Sequence, residues 1–324
     1  MISWRPSYWF QQTFKLLIFL GVMLVLYLKM TSGEMRNSDL LLKSRDYLMD
    51  HVGLLTFAIC LMPVNWLLES WKWKLLVARI QRIGMTQSFI GVLTGLAVGF
   101  ITPRHLGDYF GRIWQLENKQ RTRVAGALVV SRLSQLAVTI IAGIIGGLLF
   151  GRNYELPVSI RMNWVISGAL TLLMLLVVLF IFRKAFIKEV IKRIPWEKFT
   201  RLIKIIGEYE RSVIVQVIAL AALRYAVFTL QFVLICYVFN VGANWLAVTA
   251  AVTLIFLFKS IVPSFNFLSD LGVRELGALL FLSLLEMPDW AIISASLVVW
   301  SINILLPTLA GSLLMWKMKI RAAE

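Results

Sequence analysis

The apolar residues of this chain come in long blocks, and this pattern limits the possible folds more than any other feature. Nine blocks can be marked, at residues 9–28, 52–68, 86–102, 124–150, 162–182, 212–240, 245–262, 266–285 and 291–316. A helix needs roughly 20 apolar residues to cross a bilayer, and several blocks reach that length. The chain is 59% hydrophobic and only 15% charged, which is more apolar surface than one soluble core buries. We therefore predict an all-α membrane protein that crosses the bilayer several times.

The net charge of +16 is the second unusual property. In a soluble protein it would suggest nucleic acid, but in a membrane protein basic residues collect in cytoplasmic loops. The stretch 183–211 carries nine basic and four acidic residues, whereas 29–51 carries four of each. The first is therefore expected in the cytoplasm and the second outside. This places both termini in the cytoplasm, as in a multi-pass protein of a bacterial-type inner membrane, and no nucleic acid is expected as a partner.

The same charge count predicts segments that enter the membrane without crossing it. Stretches 69–86 and 103–123 are both basic and both expected in the cytoplasm. Block 86–102 lies between them, so it is expected to start and return on the same side of the membrane. We predict that it is one arm of a re-entrant hairpin, near 86–117, that turns at Thr102 and Pro103. Blocks 245–262 and 266–285 begin and end outside and meet at Pro263. They form either a second hairpin or a pair of full spans, and we favour the hairpin.

The resulting architecture is a single transmembrane domain, 1–324, with about six spans and two oppositely inserted hairpins. Its first half covers 50–150, and its second half covers 212–316 with the hairpin near 245–285. Inverted repeats with broken helices are typical of transporters. The stretch 183–211 alternates basic and apolar residues, which indicates a cytoplasmic amphipathic helix on the membrane surface or, alternatively, a solvated basic linker.

Charged residues inside apolar blocks are the candidates for function, because burying charge in a membrane is costly. Arginine suits phosphate, since its planar fork binds two oxygens. The predicted substrate-binding residues are Arg104, Asp108, Arg112, Arg132, Asp270, Arg274 and Glu275. Arg224 and Lys259 are also basic residues within apolar blocks. The alternative is that these charges only pair with one another and hold the hairpins in place. Pro103, Gly107, Pro263 and Gly272 are predicted to shape the hairpins.

Motifs for catalysis or cofactor binding have little support in the sequence. Cys60 and Cys236 match no metal or redox spacing, and the two histidines, His51 and His105, lie too far apart in sequence to suggest a metal site. No glycine-rich phosphate loop or metalloprotease motif occurs. We therefore expect no cofactor, no metal and no enzymatic activity.

Three short stretches resemble a known family. Residues 102–112, TPRHLGDYFGR, are similar to its TPGRxGE…R turn, and the stretch 263–275, ending LGVRE, is similar to its P…GLGVRE signature. Ser131-Arg132-Leu133 resembles its ERLxD motif, although Ser131 and Gln135 stand where acidic residues are common. The family is that of the lysylphosphatidylglycerol synthase transmembrane region, which is flippase-like. The resemblance implies two re-entrant hairpins and lipid translocation, and it covers about residues 50–316.

These observations lead to one preferred function and two alternatives. The preferred one is a flippase for a phospholipid or a polyprenyl-phosphate-linked lipid, with anionic membrane lipids as partners and a homodimer left open. The alternatives are a non-transporting accessory that binds lipid or scaffolds a lipid-modifying enzyme or glycosyltransferase, and a membrane-embedded enzyme. Because the last block ends near the end of the sequence, no soluble aminoacyl-transfer domain is expected.

Overall fold

The computed structural model describes residues 40–102, 106–114, 116, 121–154, 209–262 and 267–321, and within them the chain is helical without strands. The helices are α1 Leu40–Asp50, α2 Val52–Val77, α3 Met85–Ile101, α4 Leu106–Trp114, α5 Arg121–Asn153, α6 Arg211–Val238, α7 Trp245–Ile261, α8 Phe267–Leu282, α9 Asp289–Trp300 and α10 Leu306–Arg321. A π-helical turn, Ser301–Leu305, joins α9 to α10 without a break.

Four helical stretches are long and apolar enough to cross a membrane. They are Val52–Val77, Arg123–Arg152, Arg211–Val238 and Asp289–Leu314. They coincide with four of the six predicted spans, so the multi-pass helical fold is confirmed. The other two, 9–28 and 162–182, lie outside the described residues, as does nearly all of 183–211.

Two segments expected to be loops are helical. α2 continues past the end of its apolar block to Val77, and thus includes Glu69 and Lys72. The stretch 29–51, expected as an outer loop, contains α1. The prediction was wrong at α2 because an apolar pattern ends where charges begin, whereas a helix continues wherever its charges find partners.

The chain reverses between α3 and α4, and the two helices pack closely and antiparallel. Gly107 lies against Val98, and Gly111 lies against Gly95, so the contacts run in opposite directions along the two helices. Thr102 ends α3 and receives a hydrogen bond from the N–H of Gly107 at 2.7 Å. This bond satisfies one of the amides left open at the start of α4. The helix break lies where the first hairpin was predicted to turn, although Pro103 itself is outside the described residues.

A second pair of short helices, α7 and α8, occupies the corresponding place in the second half. Asn244 caps α7 by accepting a hydrogen bond from Ala247 N at 2.8 Å. Gly277 of α8 faces Phe258 and Ile255 of α7, so the two helices pack against each other. The break between them includes Pro263, which is outside the description.

Each short pair packs against a long helical stretch of the other half, either α5 or the continuous α9–α10. α7 lies on α5, where Gly143 faces Leu257 and Gly146 faces Thr253. α3 lies on α10, where Gly311 meets the backbone of Leu93. Between the halves, α2 packs along α6, and buried Asn65 donates a hydrogen bond to Gln231 at 3.0 Å. The halves are therefore interlocked rather than side by side.

Apolar side chains form two buried clusters towards opposite ends of this bundle. One includes Ala58 near the start of α2 and Phe150 near the end of α5. The other includes Trp73 near the end of α2 and Val124 near the start of α5. Large apolar side chains such as Leu67, Ile141 and Leu309 remain exposed, as expected of surfaces that face lipid.

Candidate functional site

A cavity of about 490 Å³ lies between the two halves. Residues from α2 to α9 and from the π-helical turn line it. Its contributions from α5 and α6, such as Gln135 and Arg224, come from the middle of those helices. The cavity therefore lies between the two apolar clusters rather than at an end of the bundle.

Six basic side chains line this cavity, which we call the central cavity, and each comes from a different helix. They are Lys72 of α2, Arg112 of α4, Arg132 of α5, Arg224 of α6, Lys259 of α7 and Arg274 of α8. Three belong to the first half and three to the second. The carboxylates among the described lining residues are Glu69 and Asp108.

Glu69 connects three of the cations. Its carboxylate lies 2.7 Å from Lys72 Nζ, 3.0 Å from Arg112 Nη2 and 3.4 Å from Arg224 Nη1. Glu69, Lys72 and Arg112 are all buried. A buried carboxylate is stable only when paired, so this cluster joins α2, α4 and α6.

Asp108 holds two arginines of the first half. Arg112 Nε donates to Asp108 Oδ1 at 2.6 Å, one helical turn away on α4. Arg132 Nη2 donates to Asp108 Oδ2 over the longer distance of 3.3 Å, and its side chain is 54% exposed. The guanidinium of Arg112 also lies 5.1 Å from the ring centre of Trp73, a favourable cation–π distance. Arg112 is thus fixed on several sides, whereas Arg132 reaches the cavity from a more open position.

Arg224 is held by polar and aromatic neighbours. Its Nη1 donates to Gln135 Oε1 at 3.3 Å, and its guanidinium lies 4.8 Å from the ring centre of Phe228. Gln135 in turn donates to the carbonyl of Ala221 at 3.4 Å. A residue of α5 thus orients a cation of α6 across the boundary between the halves.

Arg274 belongs to a separate buried cluster. It donates to Glu275 Oε1 at 3.0 Å and to Ser296 Oγ of α9 at 3.1 Å. Ser296 donates onward to the same Glu275 oxygen at 2.8 Å. This cluster ties α8 to α9, and Glu275 lies behind Arg274 rather than in the cavity wall.

The structure brings together most of the residues predicted from sequence. Asp108, Arg112, Arg132 and Arg274 line the central cavity. Asp270 is on α8, one turn before Arg274, but its side chain is outside the description, as is Arg104. Of the residues predicted to shape hairpins, Gly107 packs against Val98, and Gly272 is buried in α8.

Sequence reasoning missed Glu69 and Lys72, which had been assigned to a cytoplasmic loop. Their spacing of three residues at the end of an apolar block was a usable signal, because it places both on one helix face. Arg224 and Lys259 were recognised as basic residues in apolar blocks but not as part of the site. All four line the central cavity.

Comparison with family models shows which protein family the chain belongs to. The model of the lysylphosphatidylglycerol synthase TM region matches residues 12–311. The chain belongs to this family. The comparisons with curated proteins and with solved structures gave no match. The family predicted from the sequence is thus confirmed, and membership supports an integral membrane protein.

Proposed function

We propose that this protein binds phosphate-bearing membrane lipids in the central cavity and moves them across a bacterial-type inner membrane. One observation carries the proposal: six basic side chains from six helices surround one cavity inside an apolar helical bundle. Cations within a membrane bundle are costly, and they are retained where they pair or serve function. Membrane lipids supply anions at high local concentration.

The polar donors of the central cavity suit a phosphate group. Arginine offers a planar fork that matches two phosphate oxygens. Among the described residues, Arg112 Nη1 and Arg224 Nε have no hydrogen-bond partner, although both atoms are buried. These donors and the half-exposed Arg132 would serve as phosphate contacts in this proposal, while Glu69 and Asp108 orient them.

The apolar part of the wall supports a lipid as the ligand. Leu136, Phe228, Phe256 and Ile304 line the central cavity beside the cations. Leu136 is also 40% exposed on α5, so the apolar wall extends towards the lipid-facing surface. An amphiphile could place its headgroup among the cations and leave its tails in the bilayer.

The lengths of the short helices support the two re-entrant hairpins of this proposal. α3 and α7 have 17 residues each, about 26 Å, against a hydrocarbon core of about 30 Å. α4 has nine residues and is far too short to span. We infer that α3–α4 and α7–α8 enter from opposite faces and meet at the central cavity, so that rocking of the interlocked halves alternates its access.

Proteoliposomes containing a tail-labelled phospholipid test this function. We expect wild-type protein to speed lipid exchange between leaflets, and Arg132→Gln to slow the initial rate about tenfold, as expected for one lost charge-assisted hydrogen bond. Arg152→Gln is the matched control, because Arg152 is also exposed on α5 but lies outside the central cavity. Equal rates for wild type and Arg132→Gln would contradict the site.

The accessory role predicts a different result in the same experiment. A non-transporting member would leave lipid exchange at the rate of empty liposomes, yet would still bind lipid in a way that depends on Arg132. That outcome would show that the protein binds lipid or acts as a scaffold rather than transporting lipid. The assignment of the binding site to the central cavity would stand.

A further inference from the structure

An arginine side chain can hold an oxyanion with two parallel hydrogen bonds from one edge of its guanidinium plane. Nε and Nη2 lie side by side on one such edge, and their N–H groups can donate to two oxygens of one phosphate at once. Nη1 lies on the other side of the plane, away from Nε. The nitrogens that already have protein partners therefore show which arginines can hold a phosphate by this edge.

Arg112 and Arg274 have both nitrogens of this edge engaged by the protein. Nε of Arg112 donates to Asp108 at 2.6 Å, and its Nη2 donates to Glu69 at 3.0 Å. Nε of Arg274 donates to Ser296 at 3.1 Å, and its Nη2 donates to the glutamate that follows it in the chain at 3.0 Å. These two arginines join helices, and neither has the edge left for a ligand.

Arg224 is bound differently, because both of its polar contacts with described residues are made by Nη1. Nη1 lies 3.4 Å from Glu69 Oε2 and donates to Gln135 Oε1 at 3.3 Å, while Phe228 covers one face of the guanidinium. Nε has no hydrogen-bond partner among the described residues although it is buried, and an unpaired buried donor is costly. The Arg224 side chain lines the central cavity and is 21% exposed, so a ligand there can approach the Nε–Nη2 edge.

Gln135 is suited to hold Arg224 in this orientation because its side chain is an amide. The amide oxygen accepts from Arg224, and the amide nitrogen donates to the carbonyl of Ala221 at 3.4 Å, so both ends bond to α6. A carboxylate at this position could not donate to that carbonyl. Gln135 is also neutral, so it orients the guanidinium without competing with an oxyanion as a second carboxylate would.

Resting on the function proposed above, we infer that Arg224 is the main phosphate anchor of the central cavity and that Gln135 is its positioning residue. The Nε–Nη2 edge of Arg224 takes the two non-bridging oxygens of a lipid phosphate. Arg112 can add a single bond from Nη1, and Arg274 serves to join α8 to α9. Glu69 and Gln135 belong to the first half and Arg224 to the second, so the phosphate is held where the two halves meet.

Lipid binding by an Arg224→Lys variant tests the anchor, because lysine keeps the positive charge but lacks the paired donors. The probe is dioleoyl phosphatidylglycerol, titrated onto the purified full chain in a maltoside detergent, which contains no phosphate. We expect the variant to bind about tenfold more weakly, the contribution of one charge-assisted hydrogen bond. Arg211→Lys is the matched control, since Arg211 is exposed on the same helix and lies outside the central cavity. Equal affinity of the two variants would overturn the inference.

A double-substitution cycle separates positioning from a merely structural role of Gln135. Gln135→Leu removes the amide at similar size, and it should weaken binding about fivefold. In the Arg224→Lys background the same change should cost less than about twofold, because the edge that Gln135 orients is already absent. An equal loss in both backgrounds would show that Gln135 only supports the fold. Gln135→Leu keeps every cation, so wild-type affinity of this variant would overturn the inference even if Arg224→Lys does not fold.

Inorganic phosphate distinguishes a lipid headgroup from free phosphate, since both carry the oxygens that the Arg224 edge takes. We expect inorganic phosphate not to displace phosphatidylglycerol when the two are present at equal concentration. Displacement under these conditions would show that the tails contribute nothing and would overturn the assignment to a lipid.

The outcomes also separate this inference from the proposed function. If the liposome assay shows Arg132-dependent transport but Arg224→Lys binds lipid as the wild type does, only the assignment of the anchor fails. If the wild type neither binds nor moves lipid, both fail.

Discussion

At the scale of single residues, Glu69 is the charge on which the site depends most. It contacts Lys72, Arg112 and Arg224, which come from three helices. Removing one partner from a buried ion pair leaves an uncompensated charge and costs about 3–5 kcal/mol. In the Glu69 cluster the loss would leave three cations close together without their common carboxylate.

The substitution Glu69→Gln should therefore lower the unfolding temperature of the protein in detergent, with a loss of stability of about 3 kcal/mol. Glu210→Gln is the matched control. Glu210 forms an ion pair with Arg79 at 3.0 Å, but its side chain is 69% exposed, and such pairs contribute at most about 1 kcal/mol. Thermal unfolding of both variants gives the comparison, and equal unfolding temperatures would show that the Glu69 cluster does not stabilise the fold.

The residue scale is also where sequence reasoning had its limit. It found Arg132 and Arg274 because a charge inside an apolar block is conspicuous. It did not find Glu69 and Lys72, because charges after an apolar block look alike whether water or other helices surround them. Partners more than 40 positions away, such as Arg112, decide between these cases.

At the scale of elements, the close packing of α3 on α4 depends on glycine. A β-carbon at Gly111 would overlap the backbone of Gly95, and neither backbone can move without separating the helices. The same contact holds Asp108 and Arg112 against the rest of the site. Glycine is therefore required here by space rather than by backbone conformation.

The substitution Gly111→Ala should push α4 away from α3 and weaken lipid binding more than tenfold, because near-contact geometry tolerates little displacement. Gly53→Ala is the control, since a β-carbon at Gly53 has nothing within 4 Å and alanine favours a helix. Lipid titration of the two purified variants measures the effect. If Gly111→Ala binds lipid as Gly53→Ala does, the tight helix pair does not position the site.

Elements were more predictable than residues for a physical reason. The spans in α2, α5, α6 and α9–α10 follow from apolar length alone, which the bilayer sets. The breaks near Pro103 and Pro263 follow from local turn chemistry. The packing of α7 on α5 and of α3 on α10 could not be predicted. It depends on glycines, and a glycine in a sequence can indicate that another helix packs closely but not which helix it is.

At the scale of the whole molecule, segments assigned to the same side of the membrane do share an end of the bundle. Arg79, after α2, bonds to Glu210, before α6, and both stretches were expected in the cytoplasm. At the other end, Tyr47 of α1 lies 5.5 Å from Trp290 of α9 between ring centres, and both were expected outside.

Orientation can be measured with single cysteines in a background without Cys60 and Cys236. We expect Arg152→Cys to react with a membrane-impermeant thiol reagent in intact cells, and Arg82→Cys to react only after permeabilisation. Both positions are exposed, and they lie near opposite ends of the bundle. The positive-inside distribution of basic residues gives this direction. Labelling of position 82 from outside would reverse the proposed orientation.

The interlocking of the halves has a consequence for how the protein is made. Gly311 of α10 packs on Leu93 of α3, so the first short pair receives this neighbour only after more than 200 further residues have been translated. At roughly 5–20 residues per second, that delay is on the order of 10–40 s. During this time α3, its glycine-rich face and the nearby charges of α4 are in the membrane without their final neighbour. The first half must therefore wait in a partly assembled state until the end of the chain is inserted.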